Sequence, residues 1–117
     1  MTLSLPPAIW RYFTAADVGN LDALIDCFAE DAVVTDEDRT WHGHAEIRRW
    51  REDVATVYEY TLEVLGAEPG GQAGGTEWHH VQTHLEGNFP GGTVDLAYRF
   101  GLRDGSIASL EIVPTER

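Results

Sequence analysis

Tyr12 and Asp36 are two early side chains whose types could carry proton chemistry. A carboxylate can accept a proton and a phenol can donate a hydrogen bond, so the pair could act together if both reached one cavity. Tyr12 falls in a segment with helical spacing of apolar residues, whereas Asp36 ends a strand-like run that starts at residue 32. A tyrosine on the first helix and an aspartate at the end of the first strand can converge on one cavity.

Three histidines, His79, His80 and His84, lie on one strand predicted over residues 78–89. His80 and His84 share a face, but four residues of strand separate them by about 13 Å, too far for two ligands of one metal ion. We therefore expect no metal site, and nothing in the sequence calls for a cofactor. If the face that carries Val81 points inward, His79 lies inside as an acid or base that titrates near neutral pH.

The predicted helices lie mostly in the first half of the chain, and most of the predicted strands follow them. Periodicity and capping signals predict a first helix that begins near Pro6, further helices at residues 20–30 and 44–58, and a strand at residues 32–37. The second half predicts strands from about residues 60, 78, 94 and 107, a hairpin turn at residues 103–106, and a flexible loop at the glycine-rich residues 69–75. This order is typical of an α+β domain with helices on one face of a bent sheet.

The third predicted helix divides into two faces. Ile47, Trp50 and Val54 recur at helical spacing and form its apolar stripe. The charged residues of this helix, Arg51 among them, are assigned to the face in solvent.

Four short segments resemble the nuclear transport factor 2-like superfamily, which includes ketosteroid isomerase, SnoaL-like polyketide cyclases and limonene epoxide hydrolase. They are Arg11-Tyr12, Gly19-Asn-Leu-Asp22, Phe28-Ala-Glu-Asp-Ala32 and Trp41-His-Gly43 leading to Ile47. The resemblance is strongest over residues 8–54. It implies one SnoaL-like domain over residues 1–117, with a cone-shaped α+β fold in which three N-terminal helices pack on a curved, mostly antiparallel sheet. The superfamily uses one pocket for many tasks, so the resemblance identifies the fold better than the reaction.

The same resemblance assigns roles to the two candidate residues. Tyr12 aligns with the oxyanion-hole tyrosine of ketosteroid isomerase, and Asp36 aligns with its general-base aspartate. Removal of a proton next to a carbonyl places charge on the carbonyl oxygen, so a base and a donor must flank one substrate. Leu96 or Ala97 stands where the isomerase has its second donor, a protonated aspartate, so steroid isomerisation itself is not expected.

The implied function is that of an isomerase or cyclase that removes a proton next to a carbonyl of a small hydrophobic molecule. Asp36 would be the base, Tyr12 the oxyanion donor and His79 a second acid or base. The apolar lining is expected to consist of Trp10, Trp41, Trp50, Leu96, Tyr98 and Leu110. One alternative is a non-catalytic ligand-binding or dimerisation module of the same fold. Another is an epoxide-hydrolase-like enzyme, which needs Arg99 inside the cone.

Composition limits the partners. Eight basic against twenty acidic side chains give a net charge of −12, which argues against binding nucleic acid or an anionic membrane surface. No apolar run approaches the ~18 residues of a membrane span. The N-terminal residues lack the features of a signal peptide, and the single Cys27 cannot form an internal disulfide. These features favour a cytoplasmic location.

An outward-facing group on the predicted sheet mixes histidines with opposite charges. His80, His84, Asp95 and Arg99 are too mixed for a core and too ordered for a random surface. Related proteins commonly pair through this face, and a symmetric dimer places the same patch on both chains. We therefore expect a homodimer through the outer sheet face, with Asp95 and Arg99 as an ion pair there.

Overall fold

The structure is a computed structural model that describes residues 5–115. In this part of the chain, three helices pack on a six-stranded sheet. The helices are α1 (Pro7–Val18), α2 (Leu21–Asp26) and α3 (Gly43–Val57). The strands are β1 (Phe28–Asp36), β2 (Arg39–His42), β3 (Tyr60–Ala73), β4 (Thr76–Gly87), β5 (Thr93–Arg103) and β6 (Ser106–Pro114). The strand order is β2-β1-β6-β5-β4-β3, antiparallel except for the parallel pair of β1 and β6. The α+β prediction is confirmed.

The core lies between the inward faces of the helices and the concave side of the sheet. Alternation along β4 places Val81, Thr83 and Leu85 inside, which settles the direction that the sequence left open. On β5, Tyr98 and Phe100 face the same way. Because the helices cover only part of this concave side, the sheet can enclose a cavity next to them. Within residues 5–115, none of the helices is both long and apolar enough to cross a membrane.

The region around Asp36 differs from the sequence prediction in its boundaries. α2 ends at Asp26, and β1 already begins at Phe28, so the predicted helix was too long and the predicted strand too short. Glu37 and Asp38 have φ values of 54° and 63° and form a two-residue turn into β2. The sequence prediction had no strand between residue 37 and the third helix. This hairpin holds Asp36 at the last position of β1.

β3 runs through the glycine-rich segment that was predicted to be a flexible loop. Residues 69–73 pair with β4, and the turn consists only of Gly74 and Gly75. The register shifts between Val64 and Gly66 and between Pro69 and Gly71. Proline is tolerated at such irregularities and on edge strands, and β3 is an edge strand. The loop prediction was wrong because it relied on the glycine content of the segment and did not consider that an edge strand can accommodate these residues.

Candidate active site

A cavity of about 520 Å³ lies between α3, the turn after β1 and the concave faces of β5 and β6. Most of its wall is apolar or aromatic, and its charged residues are Asp36, Glu37, Asp38 and Arg51. The other residues that line it are Trp50, Val54, Tyr58, Tyr60, Leu85, Phe89, Pro90, Thr93, Val94, Leu96, Tyr98, Ile112, Val113 and Pro114. Its size and its few polar groups are typical of small-molecule sites.

Asp36 is a partly buried carboxyl group in the wall of this cavity. The Trp50 indole Nε1–H donates a hydrogen bond to Asp36 Oδ2 at 3.0 Å. Burial raises the pKa of Asp36 above its usual value and outweighs the Trp50 hydrogen bond and the Arg51 charge, which lower it. A carboxylate with a raised pKa is a stronger base, and the indole holds only one of its two oxygens.

The mouth of the cavity carries two further acids beside Asp36. The Tyr58 hydroxyl donates a hydrogen bond to Glu37 Oε1 at 2.9 Å, which ties the end of α3 to the β1–β2 turn. Glu37 and Asp38 are both exposed. The negative charges of Glu37 and Asp38 therefore lie where the cavity opens beside the β1–β2 turn.

Tyr12 lies inside the cone but lines a second cavity, of about 470 Å³, between α1, α3 and β3. Its side chain is 1% exposed, and the rings of Phe13, Phe28 and Phe100 meet it edge-on at 5.3 to 5.9 Å. Its hydroxyl has no hydrogen-bond partner within residues 5–115. Burial raises the pKa of Tyr12 well above its ordinary value, so the phenol stays protonated. The predicted convergence on one cavity is corrected to two adjoining cavities.

Arg51 is the polar group of the site that sequence reasoning missed. It was assigned to solvent, whereas the structure places it partly buried in the wall of both cavities. Burial lowers its pKa, but the nearby oxygens of Tyr12, Tyr60 and Tyr98 outweigh burial and raise it, so the guanidinium stays charged. Its spacing was a usable signal, because Arg51 lies four residues after Ile47 and completes the inward stripe of α3.

Four of the six predicted lining residues contact the cavity region. Trp50, Leu96 and Tyr98 line the main cavity. Trp41 lines a recess of about 280 Å³ that also includes Asp36 and Trp50.

Trp10 and Leu110 were predicted to line the pocket and do not. Trp10 is 58% exposed on α1, because the inward stripe passes through Ile9 and Phe13 instead. Leu110 is only 1% exposed and belongs to the packed core, while Ile112 two positions later reaches the cavity.

His79 has the predicted inward direction but lines neither the main nor the second cavity. Its Nε2 lies 3.0 Å from Glu77 Oε2, at the far end of β4. Leu85, the β4 residue that does line the main cavity, is six residues away, about 20 Å along a strand. The prediction that His79 is the pocket histidine is therefore wrong, because alternation fixes a face and not a distance along it.

The outer face of the sheet carries the expected mixed group, with different pairings. His84 Nδ1 lies 2.6 Å from Asp95 Oδ1, and His84 Nε2 lies 3.2 Å from Glu86 Oε2. The Arg99 guanidinium is exposed and sits 4.5 Å from the centre of the Trp78 ring. Arg99 is thus outside the cone, and the condition for an epoxide-hydrolase-like site is not met. Within residues 5–115, no three His, Cys, Asp or Glu side chains are grouped as metal ligands.

The fold and this cavity define a known class of protein. Residues 9–110 match the family model of the SnoaL-like domain, and the chain belongs to that family, within the nuclear transport factor 2-like superfamily. A provisionally assigned polyketide cyclase from Sinorhizobium meliloti has a similar structure, with 37% identity and a TM-score of 0.85 over 93% of this chain and 95% of that one.

Two more distant structures show the same fold. A protein from Catenulispora acidiphila with a ketosteroid isomerase-like fold, in complex with trimethylamine, is 20% identical with a TM-score of 0.78 over 94% of this chain and 86% of that one. The Orange Carotenoid Protein of Anabaena, which binds canthaxanthin, is 19% identical with a TM-score of 0.82 over 96% of this chain and 36% of that one. No curated protein sequence gives a significant match to the chain.

Proposed function

We propose that this SnoaL-like protein is an acid–base enzyme of the isomerase or cyclase type, acting on a small hydrophobic carbonyl compound. The observation that carries the proposal is Asp36, a partly buried carboxyl with a raised pKa in the wall of an open, mostly apolar cavity. Structural acids are usually exposed or paired with a cation, because an enclosed charge is costly. Asp36 instead faces space for a ligand.

The proposed step is removal of a proton from the carbon next to the carbonyl. The C–H bond breaks, the proton goes to Oδ1 of Asp36, the oxygen that the Trp50 indole does not hold, and the electron pair moves to the carbonyl oxygen to form an enolate. Where a carbon–carbon double bond adjoins the acidic carbon, the enolate is a dienolate, and return of the proton from Asp36 to its far carbon gives isomerisation. Where the substrate has a second carbonyl, the enolate carbon attacks it, the C=O double bond opens to an alkoxide that takes the proton from Asp36, and the ring closes.

The charge on the enolate oxygen needs hydrogen-bond donors in the same cavity. The Tyr60 and Tyr98 side chains line the cavity with Asp36, and burial keeps the pKa of Tyr98 far above neutral, so its phenol stays protonated and able to donate. Tyr12, the donor expected from the sequence, lies in the adjoining cavity. Tyr12 would therefore contact only a ligand that enters that second cavity.

The test is proton exchange on a small apolar ketone with acidic C–H bonds, 2-tetralone, followed by proton NMR in D2O. We expect the protein to accelerate deuterium uptake next to the carbonyl, and Asp36→Asn to reduce that acceleration by about 100-fold or more. The matched control is Asp26→Asn, because Asp26 is an exposed aspartate outside both cavities. No acceleration by the wild type, or equal acceleration by Asp36→Asn, would contradict the proposal. A non-catalytic binding module of the same fold would bind the ketone without exchange.

A further inference from the structure

The junction between the two cavities is a polar cluster built from Arg51 and phenols. Both cavities are lined by Arg51, Tyr60 and Tyr98, and Tyr12 closes the cluster from α1. The guanidinium carries a permanent charge, and burial raises the pKa values of Tyr12 and Tyr98, so these two phenols stay protonated and can donate hydrogen bonds. A ligand that occupies either cavity therefore meets the same cation.

Arg51 differs from the arginines that stabilise the surface. Arg48 and Arg103 each form a short ion pair, with Asp22 at 2.7 Å and Asp31 at 2.6 Å. Within residues 5–115, Arg51 forms no salt bridge with a carboxylate. It donates a hydrogen bond to Tyr60, and its guanidinium carbon lies 5.2 Å from the centre of the Trp50 ring. A partly buried cation is normally paired with an anion, and these neutral partners do not supply the opposite charge. All eight basic residues of this chain of net charge −12 are arginines, and this one lies inside the cone.

The Tyr12 hydroxyl is an independent sign of a missing partner. It is enclosed within the cluster, at 1% exposure of the side chain, without a hydrogen bond inside residues 5–115. Buried hydroxyl groups are nearly always satisfied, and an exception needs an explanation. A ligand oxygen at the junction would accept hydrogen bonds from both this phenol and the guanidinium.

We propose that the Arg51–Tyr12 junction binds the carboxylate of a hydrophobic acid, which makes the substrate of the proposed enzyme an apolar keto acid or related carboxylate. The planar guanidinium matches a carboxylate with two parallel hydrogen bonds. The acids Asp36, Glu37 and Asp38 repel an anion from the other end of the cavity, so the ligand has one orientation. Its carboxylate lies at Arg51, and its carbonyl portion lies toward Asp36. That the bound acid is a substrate rests on the proposed function, whereas its binding at Arg51 can be tested separately.

The experiment compares 2-naphthylacetate with 2-naphthylacetamide, a neutral probe of nearly the same shape, by isothermal titration calorimetry. We expect the wild type to bind the acid about tenfold more tightly than the amide, as a hydrogen bond to a charged group requires. Arg51→Met should bring the two affinities to within about twofold. Arg49→Met is the matched control, because Arg49 is exposed on the same helix and its loss changes the net charge equally.

Each other outcome counts against the inference. Equal affinities in the wild type, no binding of the acid at millimolar concentration, or a preference that survives Arg51→Met would overturn it. If Arg51→Met does not fold, as judged by circular dichroism, Tyr12→Phe replaces it and should weaken binding of the acid more than binding of the amide, because a hydrogen bond to a charged carboxylate is the stronger one. The deuterium-exchange assay with Asp36→Asn tests the proposed enzyme, and the binding comparison tests the carboxylate site. Failure of one proposal can therefore be distinguished from failure of the other.

Discussion

The two faces of the sheet use the same kinds of charged groups in opposite ways. On the outer face, His84 and Asp95 lie 2.6 Å apart, directly opposite each other on β4 and β5. Inside the cone, Asp36 accepts its hydrogen bond from a neutral indole, and Arg51 lies among phenols. The outer groups satisfy each other, whereas the inner groups leave bonding capacity for a ligand.

The pKa values show the same contrast. The pKa of Asp36 is raised mainly because burial disfavours its charged form. The pKa of His84 is raised mainly because the Asp95 hydrogen bond favours its charged form, although desolvation opposes this. Both pKa values are raised, but the shift of Asp36 reflects the cost of burying its charge, whereas the shift of His84 reflects a stabilising contact with Asp95. This difference separates a candidate site from a structural pair.

The largest expected effect concerns the outer face as an interface. We propose that two chains pair through this face, and we expect light scattering to give twice the 13.0 kDa mass of one chain. Arg99→Glu places a like charge directly opposite Glu111 of β6 and should shift the protein to monomer. Arg49→Glu, on the exposed side of α3, should leave the mass unchanged. A mass of 13.0 kDa at all concentrations would show that two chains do not pair through the outer face.

A smaller effect concerns the stability cost of Asp36. Because its pKa in the folded protein lies above the ordinary value of 3.8, protonated Asp36 stabilises the fold, and this contribution is lost as pH rises through the folded-state pKa. Asp36→Asn can still accept the Trp50 hydrogen bond. We expect the variant to match the wild type in unfolding free energy below about pH 3 and to be at least as stable at pH 7. Urea unfolding measures both, and a clear loss of stability at pH 7 would show that the ionised carboxylate stabilises the fold.

The smallest effect concerns the His84–Asp95 pair. Its contribution to stability is present below the unfolded-state pKa of about 6.5 and is lost as pH rises through the higher folded-state pKa. NMR titration of His84 should therefore give a midpoint above 6.5, and Asp95→Asn should lower it, since the first cause of the shift is removed. A midpoint that is unchanged in Asp95→Asn would mean that the pair does not hold the proton.

Local sequence pattern predicts several features of the fold correctly. Alternation along β4 and β5, the stripe of α3 through Trp50, and the Asp104-Gly105 turn with positive φ at both residues all follow from local pattern and turn chemistry. The position of Asp36 at a strand end follows in the same way. These features depend on residues close in sequence, so one chain is enough to predict them.

Which of these side chains line the same cavity depends on how distant elements pack together. His79 points inward but lies too far along β4, and Tyr12 points inward but lines the adjoining cavity rather than the one that holds Asp36. Arg51 itself follows the apolar stripe of its helix, yet whether a charge is kept inside depends on the phenols that β3 and β5 bring to it. Periodicity describes a side chain relative to its own element. The extent of a cavity and the partners within it depend on how distant elements pack.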